Sequence, residues 1–517
     1  MKNNQLFVVS REFADIAEAG GVKNVAFFLS KEASENGFDV TLFIPQYGCT
    51  KLDKITDYSK FEHYSTSISI NWSSHHIEYA VGYFEKIKVI FVISPYFLSK
   101  LGVYTYTKKE EKQNPSHISG TGHEDALLMD VLFQKAVLEF SKLSGIIPNI
   151  VHCHDAATSL IPFFANKIHT YSEIFKNTSF FVTIHNAGPG YHHEFNNIET
   201  AKSLCELPHN DLIEGLLDDT VEPYLLASKY ATITTVSPNY ANELLCIQND
   251  YSGGLSKEFV KRNIKIIGIT NGIEFERYDP SNKKSSLLNY EYNPEILDLK
   301  GKKKERLNFI KTFSQFNELE NVDQFGTIQA DESSILFAHH GRMVWQKGIE
   351  ILENAVEIVL RNCENARFVV MGQGQVELED KNMMLTQKYP GKFLYFRGYD
   401  RFLARECVAI SDFIVLPSVF EPCGLEDLIA QIFGTVPVAS ATGGLNKINH
   451  GIDGFLYEPN TPEKLSSVLC DLYEKLINNR DFLNNFIQNG AKKARYDYSW
   501  KNVFNNNYKP LYLQQFF

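Results

Sequence analysis

Short apolar runs recur along the chain, separated by stretches with helical spacing. Leu6–Ser10, Asp39–Ile44, Val89–Ile93, Ile150–His152, Phe180–Ile184, Thr232–Val236 and Ile264–Ile269 have the length and the β-branched and aromatic content of strands. Between the first two, Val22 to Asn36 repeats apolar residues at helical spacing and Gly37 closes it. After a charged, irregular segment, Tyr278 to Ser333, the rhythm restarts with Ile335–His339, Arg367–Met371, Phe393–Arg397, Asp412–Pro417, Val436–Ala439 and Gly454–Tyr457. Strand–helix alternation of this kind predicts an α/β chain with two doubly wound parallel sheets in tandem. Open sheets of this type bind ligands beyond the carboxyl ends of their strands, so two such domains are expected to face across a cleft lined by strand ends. Within the charged segment, Lys302-Lys303-Lys304 reads as a solvated helix face.

The polar residues that close these runs are the candidates for chemistry. The run ending at Pro417-Ser418 leads into Phe420-Glu421-Pro422-Cys423-Gly424-Leu425, and Glu426 to Phe433 then has helical spacing. Glu421 thus sits on a strand-to-helix turn with the N–H groups of Cys423, Gly424 and Leu425 at a helix start, a carboxylate for sugar hydroxyls beside a cradle for an anion. Gly341-Arg342 and Gln346-Lys347-Gly348 follow the strand Ile335–His339; an Arg fork and a Lys point charge suit a diphosphate and can neutralise a leaving nucleotide without a metal. Gly443-Gly444 and Gly372-Gln373-Gly374 are further glycine turns at strand ends. In the first half, Glu18-Ala19-Gly20-Gly21 opens the first helix, His152-Cys153-His154-Asp155 ends one strand and His185-Asn186 ends the next. Alternation along a strand would turn His152 and His154 to one face; a strand-end turn explains them better than a zinc site.

Composition narrows the class. The chain has 517 residues and 44% hydrophobic content, enough for two or three cores. A net charge of -11 disfavours general nucleic-acid binding. Eight scattered cysteines without a CxxC pair read as reduced thiols of a cytoplasmic protein. Met1 to Ser10 lacks the apolar stretch of a signal peptide, and no apolar run is long enough to span a membrane.

Together these motifs resemble bacterial glycogen synthases and plant starch synthases, retaining glucosyltransferases of the GT-B fold. The resemblance runs nearly end to end through Gly20-Gly21, His154-Asp155, Thr183-Ile184-His185-Asn186, Thr234 to Pro238, Gly268 to Ile273, Gly341-Arg342, Gln346-Lys347-Gly348, Pro417 to Leu425 and a closing segment from Arg495 to Trp500. It implies an N-terminal domain of residues 1–275, joined by a C-terminal helix of about 497–517 that crosses back, and a donor domain of residues 276–496. It implies transfer of glucose from ADP-glucose, or less often UDP-glucose, to the end of an α-1,4-glucan, with no metal and no further cofactor, in the cytoplasm (or in a plastid, if a transit peptide is missing from this chain). Glu421 would hold the donor glucose, Arg342 and Lys347 the diphosphate, and His185 and Asp155 the transferred sugar. Gly20, Gly21, Asn186, Asn271, Cys423, Gly424, Leu425 and Gly443 would complete the donor contacts. Tyr399 would lie against the base and Tyr104 on the acceptor side.

The chain departs from that family in its first domain. The family has a Lys two residues before Gly20-Gly21; here it is Glu18, and a carboxylate about 4 Å from a phosphate charge costs on the order of 4 kcal/mol at an effective dielectric of about 20. Lys23 is the candidate substitute charge. Ala156 replaces a Trp, and the loop Ala187 to His193 differs from the family's form. These departures keep two alternatives beside an active glucan synthase: a transferase with a smaller acceptor, and a non-catalytic relative that binds glucan or nucleotide. Retention of Glu421, Arg342, Lys347, His185 and Asp155 favours the enzyme.

Overall fold

The computed structural model describes residues 4–248 and 250–514, with 61–63 described by backbone alone. The chain divides into two units, one of residues up to 269 together with those from 504 onward, the other of residues 270–503.

The main sheet of the first unit has nine strands: β1 Asn4–Val9, β2 Phe38–Pro45, β3 Thr56–Ile70, β4 Ser73–Phe84, β5 Ile87–Ile93, β6 Ile150–His154, β7 Ser179–Ile184, β8 Thr232–Thr235 and β9 Ile266–Gly268. They form one sheet in the order β9-β8-β7-β6-β1-β2-β5-β4-β3. It is parallel from β9 to β5 and antiparallel through β4 and β3. Fully buried runs such as Leu6 to Val9 and Val89 to Val92 make the middle of this sheet, as expected for parallel strands covered on both faces. The topological switch falls at β1 and β6: β1 pairs with β2 on one side and β6 on the other, so the loops that follow β1 and β6 part there.

The second unit holds β10 Val322–Phe325, β11 Ile335–His340, β12 Ala366–Gly372, β13 Phe393–Gly398, β14 Phe413–Leu416, β15 Val436–Ser440 and β16 Phe455–Tyr457, in the order β10-β13-β12-β11-β14-β15-β16. All pairs are parallel except β10 with β13. The switch point here is between β11 and β14, the two strands followed by the Gly341 and Glu421 loops.

Three features differ from the reading of the sequence. The hairpin β3–β4 was passed over, because its strands carry Ser, His and Lys at alternate, solvent-facing positions and lack the continuous apolar runs of the central strands. The segment expected to be irregular contains the helix Lys300–Phe313 and the edge strand β10. On that helix Lys303 and Lys304 are exposed, but Lys302 is buried, donating to the carbonyls of Ala409 (2.6 Å) and Phe433 (3.2 Å) and to Thr435 Oγ1 (2.9 Å). Burial pushes its ammonium down to about 7.

The crossing between units also lies earlier than the 275/276 boundary of the sequence reading. Ile273 N–H donates to Tyr498 O at 2.7 Å, and Trp500 lies within 2.8 Å of where a Gly272 side chain would begin. Arg495 stacks over Phe275 at 3.9 Å and pairs with Asp279 and Glu295. These contacts tie 270–275 to 495–500 inside the second unit. The return to the first unit starts at 504: Phe504 and Tyr512 pack edge-on against Phe38, and Lys509 Nζ donates to Asn36 Oδ1 at 2.9 Å.

Lys302→Ala removes a buried stem and leaves three acceptors without their shared donor. We expect a loss of about 2–4 kcal/mol in chemical denaturation, against less than about 0.5 kcal/mol for Lys303→Ala or Lys304→Ala.

Candidate functional site

In the first unit the loop after β1 is shaped by a buried carboxylate. Glu12, 1% exposed, accepts the N–H groups of Ala19 (3.0 Å) and Gly20 (2.5 Å). A Gly20 side chain would begin 3.0 Å from Glu12 Oε1, so the glycine lets the backbone close over the acid. Burial pushes the Glu12 carboxyl up to about 7, against those two N–H bonds. Sequence reading missed Glu12: a single acid inside Arg11-Glu12-Phe13 carries no spacing signal.

Asp155 follows β6 with φ +63° and ψ 175°, a region that favours glycine. The strained backbone turns its carboxylate toward β7. There Oδ1 accepts His185 N–H at 2.7 Å and the Tyr224 hydroxyl at 3.3 Å, and the N–H of Asn186 adds a further bond. Burial raises this carboxyl to about 6 despite those donors and the nearby His193. Asn186 Oδ1 accepts Gly188 N–H at 2.8 Å, fixing the start of the loop. The predicted trio Asp155, His185 and Asn186 is therefore one hydrogen-bonded group.

His185 is joined to its neighbours by the ring. His154 Nδ1 and His185 Nε2 are 2.9 Å apart, and His154 stacks at 4.7 Å on His152. His152 uses both ring nitrogens, on Tyr512 Oη (2.5 Å) and Thr183 Oγ1 (2.6 Å), which leaves neither for a metal. His154 Nε2 is buried without a hydrogen-bond partner among the described residues. A bare ring lone pair costs less than a bare N–H, so His154 carries its proton on Nδ1 and donates it to His185 Nε2. His185 then bears its own proton on Nδ1. Burial pushes this imidazole down to about 3, so it is neutral.

Tyr104 lies with its ring 5.4 Å from the Arg11 guanidinium, itself buried and bonded to Tyr47 Oη, Val103 O and Asp130. Glu18 faces Lys51 at 3.1 Å and Lys23 at 3.5 Å. Partial burial pushes its carboxyl up, but the Lys51 hydrogen bond and the Lys23 charge outweigh it and hold it at about 2. One carboxylate with two ammonium groups carries a net +1. Lys23, the substitute anticipated from sequence, is joined by Lys51, which lies 33 positions beyond Glu18 and had no motif to reveal it.

In the second unit the loops after β11 and β14 lock together. Val419 N–H donates to Gln346 O (2.9 Å) and Gln346 Nε2 to Phe420 O (3.3 Å). Gly348, at φ +65°, lies so close that a side chain would begin 1.8 Å from Pro417 O. This contact sets Lys347 Nζ 2.5 Å from Glu421 Oε2, which also accepts from Ser418 Oγ at 3.1 Å. Arg342 is exposed beside them, 3.4 Å from Gln346 Oε1.

Beneath the Glu421 turn lies Lys447. Its buried ammonium donates to the carbonyls of Cys423 (3.0 Å), Gly424 (2.7 Å) and Gly444 (3.0 Å) and pairs with Asp427 at 2.8 Å. In a trans peptide the N–H opposes the carbonyl, so the N–H groups of Gly424 and Leu425 are turned away from this lysine. Gly444 N–H donates to the Glu421 carbonyl at 2.7 Å, and a Gly444 side chain would begin 1.8 Å from Cys423 O. Gly443, at φ +44°, makes that close approach. Asn271, 5% exposed, donates its N–H to the Cys423 thiol, which burial pushes up to about 11. Two acids in the first turn of the helix Glu426–Ile432 modify the expected anion cradle: Asp427 is taken by Lys447, and Glu426 pairs with His340 at 2.7 Å. Tyr399 is 61% exposed after β13, a strand removed from β11 and so from Lys347.

Asp155→Asn should separate stability from activity. The carboxyl is ordinarily near 3.8 and stands at about 6 when folded, so its favourable contribution exists below pH 4 and is lost as pH rises through 6. The Asn variant, which keeps the acceptor for His185 N–H, is expected to gain about 1–2 kcal/mol over the parent at pH 8 and nothing at pH 4 in denaturant titrations.

The family model of the starch synthase catalytic domain matches residues 5–259, and that of glycosyl transferases group 1 matches residues 334–475. Glycogen synthase of Thermodesulfovibrio yellowstonii is 30% identical over 519 residues, covering 98% of this chain and 97% of its own. Glycogen synthase of Mycoplasma mobile is 26% identical, covering 98% and 100%. Among solved structures, the catalytic domain of starch synthase IV from Arabidopsis thaliana, bound to ADP and acarbose, aligns with a TM-score of 0.80 at 23% identity over 99% of both chains. Sucrose-phosphate synthase of Thermosynechococcus elongatus aligns with a TM-score of 0.53 at 15% identity.

Proposed function

The chain belongs to the glycogen synthase and starch synthase family of GT-B glucosyltransferases, and from that premise we propose that it moves glucose from ADP-glucose to the non-reducing end of an α-1,4-glucan. The observation that carries the donor side is the contact of Lys347 Nζ with Glu421 Oε2 at 2.5 Å, made where the loops after β11 and β14 interlock. A lysine has three protons. One on Glu421 leaves two for phosphate oxygens, with the exposed Arg342 fork beside it. In this reading Glu421 accepts from the glucose hydroxyls, while Lys347 and Arg342 take up the charge that builds on the departing ADP. Gly424 and Leu425 supply backbone donors on the face away from Lys447.

The first unit supports the sugar end of the same reaction. An oxocarbenium-like centre is disfavoured by a nearby cation, and the buried His185 is neutral. Its Nδ1–H is the donor offered to the sugar, and Asp155 accepts a sugar hydroxyl while anchored by the N–H groups of His185 and Asn186. The Glu18, Lys23 and Lys51 trio sums to +1, the sign of the Lys the family has at this position, which supports the enzyme over a non-catalytic relative.

The test is ADP release from ADP-glucose, beside UDP-glucose, with and without maltooligosaccharide. Acceptor-dependent release is expected, with kcat lowered about 100-fold or more in Lys347→Ala and Glu421→Ala. Absence of turnover with either donor, together with measurable glucan binding, overturns the enzyme reading. For Glu18→Lys, which gathers three ammonium groups, the expected outcome is a lower KM for the donor with kcat changed less than about threefold.

A further inference from the structure

Away from the strand-end residues, His192, Glu194 and Glu222 bring one imidazole nitrogen and two carboxylates within 4.8 Å of one another. Glu222 is 0% exposed and starts the helix Pro223–Ala227, where its Oε1 accepts Tyr224 N–H at 3.4 Å. Its Oε2 lies 3.1 Å from His192 Nδ1, an ion pair when the imidazole is protonated. The His192 ring is fixed from its other side, with Nε2 2.8 Å from the Ala187 carbonyl. A carbonyl can only accept, so Nε2 carries the proton and a neutral His192 offers Nδ1 as a lone pair. The 3.1 Å gap between Nδ1 and the buried carboxylate is bridged by a proton, as an imidazolium–carboxylate pair, or by a metal cation, and Glu194 places a second carboxylate beside it.

We propose that His192 Nδ1, Glu194 and Glu222 form a binding site for a divalent transition-metal ion of the zinc type. One imidazole and two carboxylates are ligands such an ion accepts, and the Nε2–H bond to a backbone carbonyl is the outer contact that orients a ligating histidine. Tetrahedral ligands at about 2.0–2.2 Å from zinc lie about 3.3–3.6 Å apart, so closure of at most about 1.5 Å completes the set. Glu194, only half-buried, can supply it. The three ligands come from two segments. The first is the loop that begins at Ala187, directly after His185 and Asn186. The second precedes Tyr224, whose hydroxyl reaches Asp155. A bound ion would fasten that loop and keep the Asp155 group in place; its role is structural and independent of the glucosyl transfer reading.

The full chain, stripped with a chelator and dialysed, is titrated with ZnCl2 by calorimetry, and its melting temperature is followed in parallel. Expected are one ion per chain at micromolar affinity or better and a rise in Tm, with affinity at least about 30-fold weaker in Glu194→Gln. Glu222→Gln tests the buried ligand, and a folded circular dichroism spectrum is required of each variant. His169→Gln, on an exposed histidine, should bind as the parent does. If parent and Glu194→Gln bind zinc equally, or neither binds below about 100 μM, the pair is bridged by a proton alone and the proposal is wrong.

Discussion

The turn that presents Glu421 depends on one buried ammonium. Lys447 collects three main-chain carbonyls and the carboxylate of Asp427, which itself is fully buried. Either charge alone in that place would carry a desolvation cost of several kcal/mol; together, with every lysine proton bonded, they are tolerated. The lysine fixes the direction of each peptide it touches. With the carbonyls of Cys423 and Gly424 drawn inward, the following N–H groups face outward, and Glu421 is held between Ser418 and Lys347. The glycines at 348 and 444 serve the same end, since at both a side chain would begin 1.8 Å from a carbonyl of the neighbouring loop.

The first unit solves the matching problem with the opposite sign. Glu12 lies under the loop after β1 and gathers two N–H groups, where Lys447 gathers carbonyls. Asp155 repeats the device with the N–H groups of His185 and Asn186. Burial raises both acids, to about 7 and about 6, and each also raises the other or is raised by it, so the charge in this part of the unit is held near its limit. A site whose groups are kept in unfavourable states by the surrounding fold is preorganised, and the stability it forgoes is drawn from the fully buried strands beside it.

What was legible in the sequence follows from what leaves a periodic or compositional trace. The parallel strands are continuous apolar runs and were placed within a few residues. The hairpin β3–β4 alternates polar and apolar positions around Asn71-Trp72 and resembles a loop when read for apolar runs. Of the candidate site, Glu421, Lys347, Asp155 and His185 were legible because they stand in the polar stretches that follow apolar strands. Glu12, Lys51 and Lys447 were not, since each acts through space on a loop distant in sequence. Lys302 misled for a related reason: three adjacent lysines on a helix point in three directions, and one of those directions is the core.

The same distinction decides how Glu18 should be weighed. As a letter it reverses the charge of a family position. As a side chain it is an acceptor for Lys51, in contact with Lys23, and ionised far below neutrality because of them. A phosphate approaching this loop meets the sum of the three charges, screened at a half-exposed surface, and that sum has the sign of the lysine it replaces. The charge this loop presents is therefore a property of the cluster, and a reversal at one position is offset by two cations the fold delivers beside it.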